Sequence, residues 1–239
     1  MLRRASRFHA RAAVVALSLA LALASAWGAP RATAAPEAPG EMAVGPALVE
    51  ALRDGGYTIY FRHAATDWRN DDRLEKAGDW TSCDPARMRQ LSEAGRETAR
   101  RIGEAIRALA IPVGRVLSSE YCRAAETARL MALGPVETTR DIMNMRAAAF
   151  VGGRAAVVRR ARLVFSRPPP AGTNVVVVGH GNLMRAATSA YAAEGGSGVY
   201  AAAPGGAPGF RLVARLAPDD WMDLAEAAAS EPARGPAAP

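Results

Sequence analysis

Residues 175–181 read VVVVGHG. Four consecutive valines leave no polar face, so the run predicts a strand over 174–178 that is covered on both sides, as in the centre of a parallel sheet. It stops on Gly179, His180 and Gly181, and a helical pattern resumes over 183–193. Working outward, residues 57–63 (YTIYFRH) form a second apolar run that ends on a histidine. Residues 116–127 (VLSSEYCRAAET) form a third, in which a strand at 115–117 runs into Arg123 on the first turn of a helix over 121–131. An open α/β sheet aligns the carboxyl ends of its strands along one edge, where ligands bind, so Arg62, His63, Arg123 and His180 can converge. Two guanidiniums and two imidazoles in one crevice suit a phosphoryl group.

The remaining pattern alternates strand and helix. A short helix is predicted over 46–53, a strand over 57–62 and an amphipathic helix over 92–109, with Ile102, Ala105, Ile106 and Leu109 on one face and Glu97 four before Arg101. An alternating edge strand is expected at 210–216 and a helix at 219–229, while the Gly/Ala/Pro stretch 195–209 gives no assignable conformation. This order predicts a three-layer α/β/α sandwich on a mostly parallel sheet.

Length and composition narrow the class. The chain has 239 residues, enough for one sizeable core and short for two. Lys and Arg number 30 against 23 Asp and Glu, a net charge of +7, and every basic residue except Lys76 is arginine. That balance does not make a nucleic-acid surface: Arg3, Arg4, Arg7 and Arg11 belong to a leader, and no basic stripe interleaved with aromatics follows. Residues 1–35 read as an export signal, with arginines to Arg11, an apolar stretch over 12–26, and small-residue cleavage sites at 24–26 or 32–34. The apolar stretch is shorter than the roughly 20 residues a membrane span needs, so no span is expected in the mature chain. An uncleaved N-terminal anchor is the alternative, and either reading puts the body of the protein in the periplasm or outside the cell. Residues 36–45 read as a linker, 46–229 as one domain and 230–239 as a disordered tail.

Cys83 and Cys122 are the only cysteines. An even count in an oxidising compartment predicts that they pair. Asp67, Asn70, Asp71 and Asp72 resemble a calcium loop superficially but lack its glycine turn and terminal glutamate, so that loop is read as solvated or substrate-facing. A mature chain with two histidines, two cysteines and no paired ligand spacing gives no zinc site, and no metal or cofactor is expected.

Arg62-His63-Ala64 after a strand, Arg123 with Glu126-Thr127-Ala128 after a Ser-Ser turn, and Gly179-His180-Gly181 after another strand together resemble the histidine phosphatase superfamily, with its phosphoglycerate-mutase-like fold. With the export signal and the Asp219-Asp220-Trp221 ending, the chain looks most like periplasmic members of that family. The resemblance implies a metal-independent phosphatase acting on a small phosphorylated substrate, sugar phosphates included, through a phosphohistidine on His63. Arg62, Arg123 and His180 would then bind the phosphoryl oxygens. Ala64 replaces the glycine that usually follows the first histidine. The glutamate that many members carry in a Leu-x-Glu stretch has Ile142-Met143-Asn144 as its counterpart, and asparagine cannot protonate a leaving alkoxide. Asp67, Asp84, Asp141 and Glu194 are the candidate acids. Asp67 is preferred because it lies four residues past His63, within about 14 Å of it even if the chain is fully extended. A non-catalytic phosphosugar-binding protein that has lost the acid is the competing reading, and the oligomeric state is open.

Overall fold

The computed structural model describes residues 40–203 and 205–230. Its elements run in chain order as α1 (Pro46–Asp54), β1 (Tyr57–Arg62), α2 (Glu93–Ala108), β2 (Val113–Ser119), α3 (Cys122–Met131), β3 (Val136–Thr139), α4 (Arg154–Ser166), β4 (Asn174–Gly179), α5 (Gly181–Thr188), β5 (Ser197–Ala202), β6 (Phe210–Leu216) and α6 (Pro218–Ser230). The strands form one sheet in the order β3-β2-β4-β1-β5-β6. β3, β2, β4 and β1 are parallel, and β5 and β6 add an antiparallel edge. Helix α2 packs with α3 and α6, and α4 with α5, which makes the three-layer α/β/α sandwich the strand and helix order predicts.

The valine run behaves as its composition demands. β4 lies between β2 and β1 with Val176, Val177 and Val178 wholly buried, so both faces of the strand are covered. α2 begins where Ser92 accepts the Gly95 amide at 3.0 Å, a serine N-cap. Its apolar face buries Ala99, Ile102, Ala105 and Ile106. Gly103 is required by proximity, because a Cβ there would stand 1.9 Å from the Met131 carbonyl oxygen of α3. Arg107 of α2 then donates to that same carbonyl at 2.7 Å, satisfying the exposed end of α3.

Four elements differ from the expectation. β5 occupies the stretch 195–209 that carries no readable pattern, because its pairing with β1 and β6 comes from the backbone while its side chains are mostly small. β3 and α4 have no counterpart among the predicted elements. α5 stops at Thr188, five residues short of the predicted end at 193, with Ser189 turning left-handed at φ 62°. That turn sends Tyr191 and Glu194 back toward Arg62.

The expected signal over 1–35 and most of the tail fall outside the described residues, as do 36–39 of the expected linker. Residues 41 and 42 of that linker are tied down: the Met42 amide donates to Val213 at 2.6 Å, and Arg215 grips Glu41 with two bonds of 2.9 Å. Ser230, the first residue of the expected tail, closes α6. Among the described residues, no helix is long and apolar enough to cross a membrane.

Candidate active site

The carboxyl ends of β1 and β4 are adjacent, with Arg62 opposite Gly179 in the parallel register. His63 and His180 therefore leave neighbouring strands side by side, and their ring centroids are 5.5 Å apart. Both rings are buried and both line a cavity of about 880 Å3, with Arg62, Trp68, Asp71, Asp72, Arg89, Asn144, Arg146 and Tyr191 among its walls. Gly179 is forced by this junction, since a Cβ there would stand 2.1 Å from the Tyr60 hydroxyl oxygen. That hydroxyl accepts the His180 amide at 2.7 Å and fixes the turn on which His180 sits.

Hydrogen bonding sets the state of His63. Its Nδ1 lies 3.0 Å from the Ala64 carbonyl, which can only accept, and its Nε2 lies 3.3 Å from Nε of Arg123, which can only donate. Both bonds require the neutral tautomer with the proton on Nδ1 and the lone pair on Nε2. Burial first, and the Arg123 charge second, hold the His63 pKa well below its usual value, in agreement with that neutral form. The same two causes depress His180. Nε2 of His180 meets the Ser119 hydroxyl at 2.9 Å, while its Nδ1 is buried and has no partner among the described residues.

Arg62 donates to the Tyr191 hydroxyl at 2.5 Å and to Glu194 at 3.3 Å, so its position is set by the turn after α5. Arg123 is placed differently from the expectation. Its fork does not line the cavity; it is closed by Asp72 through bonds of 2.9 and 3.0 Å, with both side chains about 1% exposed. Asp72 stands between Arg123 and the cavity, and the loop expected to be solvated or substrate-facing thus carries a buried carboxylate. Thr127 ties the residue after His63 to α3, accepting the Ala64 amide at 3.1 Å and donating to the Arg123 carbonyl at 2.7 Å.

Asp67 is not at this cavity. It lines a neighbouring one, its carboxylate is clamped by Arg69, and bonding from that guanidinium holds its pKa down to about 2. A carboxylate so paired stays ionised at neutral pH. The other candidates are also committed elsewhere. Glu194 accepts from Thr66 and Arg62, Asp84 accepts the Ala86 amide, and Asp141 lines a separate cavity. Asn144 does line the site, its oxygen accepting from Asn182 at 2.8 Å.

Two residues absent from the expected set belong to the site. Asp72 stands out in the sequence only as part of a false calcium loop. Arg89 lines the cavity 3.7 Å over the Trp68 ring, and its Nε is buried with no partner among the described residues. Burial, then the charge of Arg123, lowers the Arg89 pKa, opposed by the carboxylates of Asp72, Glu194 and Asp71. No motif marks Arg89; it comes to the site because residues 66 and 91 pair at the base of the loop.

The loop is closed by the Cys83–Cys122 disulfide, with Cα atoms 5.4 Å apart, as the cysteine count predicts. Cys122 precedes Arg123, so the bridge joins the loop that carries Asp72 and Arg89 to the helix that carries their partner.

In sequence, residues 59–167 match the histidine phosphatase superfamily (branch 1). No curated protein matches the chain. Among solved structures it is similar to the protein histidine phosphatase SixA complexed with tungstate, at 15% identity and TM-score 0.47, covering 68% of this chain and 97% of that one. It is also similar to a mycobacterial glucosyl-3-phosphoglycerate phosphatase, at 19% identity and TM-score 0.47, covering 66% and 96%. A third is a protein from Thermus thermophilus, at 19% identity and TM-score 0.43, covering 67% and 99%.

Proposed function

We propose that this member of the histidine phosphatase superfamily is an exported phosphomonoesterase that works without a metal, through a phosphohistidine on His63. The observation that carries the reading is the tautomer. A buried, neutral imidazole with its lone pair on Nε2 and its proton anchored on a carbonyl is an activated nucleophile at neutral pH without a separate base. Around it stand the donors a transferring phosphoryl group requires. His180 lines the same cavity, with its Nε2 held by the Ser119 hydroxyl. Arg62 and Arg89 add guanidinium donors on the same wall, and the amide end of α5 at Gly181 adds fixed partial positive charge. These cations supply the charge neutralisation that a metal would otherwise provide.

Before substrate enters, Arg123 acts on His63 in this reading: its Nε holds the ring and its charge keeps the imidazole neutral. The substrate is a small phosphorylated compound, with sugar phosphates fitting the cavity volume and its polar walls. Export is supported by the signal-like leader and by the disulfide, a bond that persists in oxidising compartments.

Incubation with radiolabelled phosphate ester and rapid quenching tests the mechanism. The wild-type protein is expected to carry acid-labile, base-stable label, and His63→Ala to lose it together with turnover, by at least about 10⁴-fold. EDTA should leave turnover unchanged. Label retained in His63→Ala would overturn the assignment of the nucleophile. Tight phosphate binding with neither label nor turnover would favour the binding-protein reading.

A further inference from the structure

We infer that Asp72 is the proton donor and acceptor of the reaction, brought into play when the phosphoryl group takes Arg123 away from it. The inference rests on the phosphohistidine reading above and supplies the acid which that reading lacks.

The walls of the His63 cavity contain two carboxylates, Asp71 and Asp72. Asp71 is largely exposed and held by Arg146 at 2.5 Å, whose bonding lowers its pKa. Asp72 is the buried one. Its oxygens accept from both arms of the Arg123 fork, and one also accepts the Arg89 amide at 3.0 Å. The charged groups facing it are Arg123 from α3, Arg89 from the far side of its own loop, and Arg146, which donates to its carbonyl at 3.4 Å. His63 and Asp72 thus share one guanidinium, the imidazole on Nε and the carboxylate on the two terminal nitrogens.

A carboxylate gripping an arginine fork from the cavity side presents the same pair of oxygens that a phosphoryl group would. The fork cannot serve both at full strength. When a phosphate ester enters beside His63 and draws Arg123 to itself, the Arg123 Nε–H leaves the lone pair of His63 Nε2, and Asp72 loses its counter-ion. The freed Asp72 oxygens then take the proton of the monoanionic ester. The lone pair of His63 Nε2 then forms the N–P bond as the P–O bond to the leaving group breaks, and the Asp72 proton passes to the leaving oxygen. In the second half a water oxygen attacks phosphorus, the N–P electron pair returns to Nε2, and a water proton passes to Asp72. Release of phosphate returns Arg123 to Asp72 and the proton to the departing product.

The test reads leaving-group dependence. Against an alkyl phosphate such as glycerol 3-phosphate, Asp72→Asn should raise the ratio of p-nitrophenyl to alkyl turnover by about 10²-fold, the usual scale for lost acid catalysis. Asp72→Glu should recover the wild-type ratio to within about ten-fold, because it keeps an ionisable carboxyl. If Asp72→Asn does not fold, the glutamate variant alone decides: a preserved ratio supports the role, and a ratio shifted as far as about 10²-fold overturns it. Equal slowing of both esters in the folded asparagine variant also overturns it, leaving Asp72 as a holder of Arg123. Failure of the phosphohistidine reading looks different, since wild-type protein would then carry no acid-labile label at all.

Discussion

The floor of the site and the loop that covers it are built by different means. The floor is the pair of strand ends β1 and β4, where His63 and His180 are placed by sheet register and locked by backbone groups and neighbours: the Ala64 carbonyl, the Tyr60 hydroxyl and the Gly179 turn. The loop from residue 64 to 92 has little regular structure. Its members are held by side chains, with Asp72 on Arg123, Asp79 accepting the amides of Glu75 and Lys76, Trp80 donating to Glu120 at 2.8 Å, and Cys83 bonded to Cys122. The floor supplies two imidazoles set on groups of the sheet. The loop supplies Asp71, Asp72 and Arg89 to the cavity walls.

Reduction of the disulfide should break the comparison most strongly, because it releases the loop and spares the floor. The bridge spans 39 residues, for which the chain-entropy model gives about 4 kcal/mol. Cys83→Ser should lower the unfolding free energy by about that amount in denaturant titration. In whatever fraction stays folded, His63 should still take up phosphate label. Loss of less than about 1 kcal/mol would mean that the loop's side-chain contacts hold it without the bridge.

Acid probes the floor. Burial depresses both histidines in the folded chain, while in the unfolded chain they titrate near 6.5. Below that pH the unfolded state binds protons the folded state refuses, so stability falls as pH drops, by up to roughly 1.4 kcal/mol per pH unit for each histidine. The loss begins near pH 6.5 and levels off only once pH passes the depressed folded values. Denaturant titrations at about pH 7.5 and about pH 5 should show it, and His63→Ala should remove about half of the slope. A flat profile would mean that the rings protonate in place.

Asp67→Asn should have the smallest effect. Its carboxylate serves an exposed pair with Arg69, away from the cavity, so kcat/KM for alkyl and aryl phosphates should each change by less than about two-fold. A selective loss on the alkyl ester would restore Asp67 as the acid and displace Asp72.

Much of the floor was legible in the chain. The valine run announces a doubly covered strand, and its parallel neighbour ends on the same residue type, so convergence of His63 and His180 follows from the strand arrangement alone. Arg62 shares that logic. The cysteine pairing follows from count and compartment, both readable without geometry. Asp67 shows where this kind of reasoning ends. Chain proximity to His63 bounds a Cα distance and says nothing about direction, and two residues later Arg69 offers a partner that turns the carboxylate away.

What the sequence by itself determined is therefore the part dictated by periodicity and covalent connection: the layered sheet, the strand ends, the histidine pair and the cysteine bridge. The tertiary structure alone decided the partners of charged side chains. Asp72 sits 51 residues from Arg123 in the chain, and Arg89 reaches the cavity through the pairing of Thr66 with Leu91. Neither placement has a period or a motif. A buried ion pair forms where two loops and a helix exclude water from the same volume, and in a chain so rich in arginine many guanidiniums could have answered each carboxylate. Only the packing around α3 selects which one does.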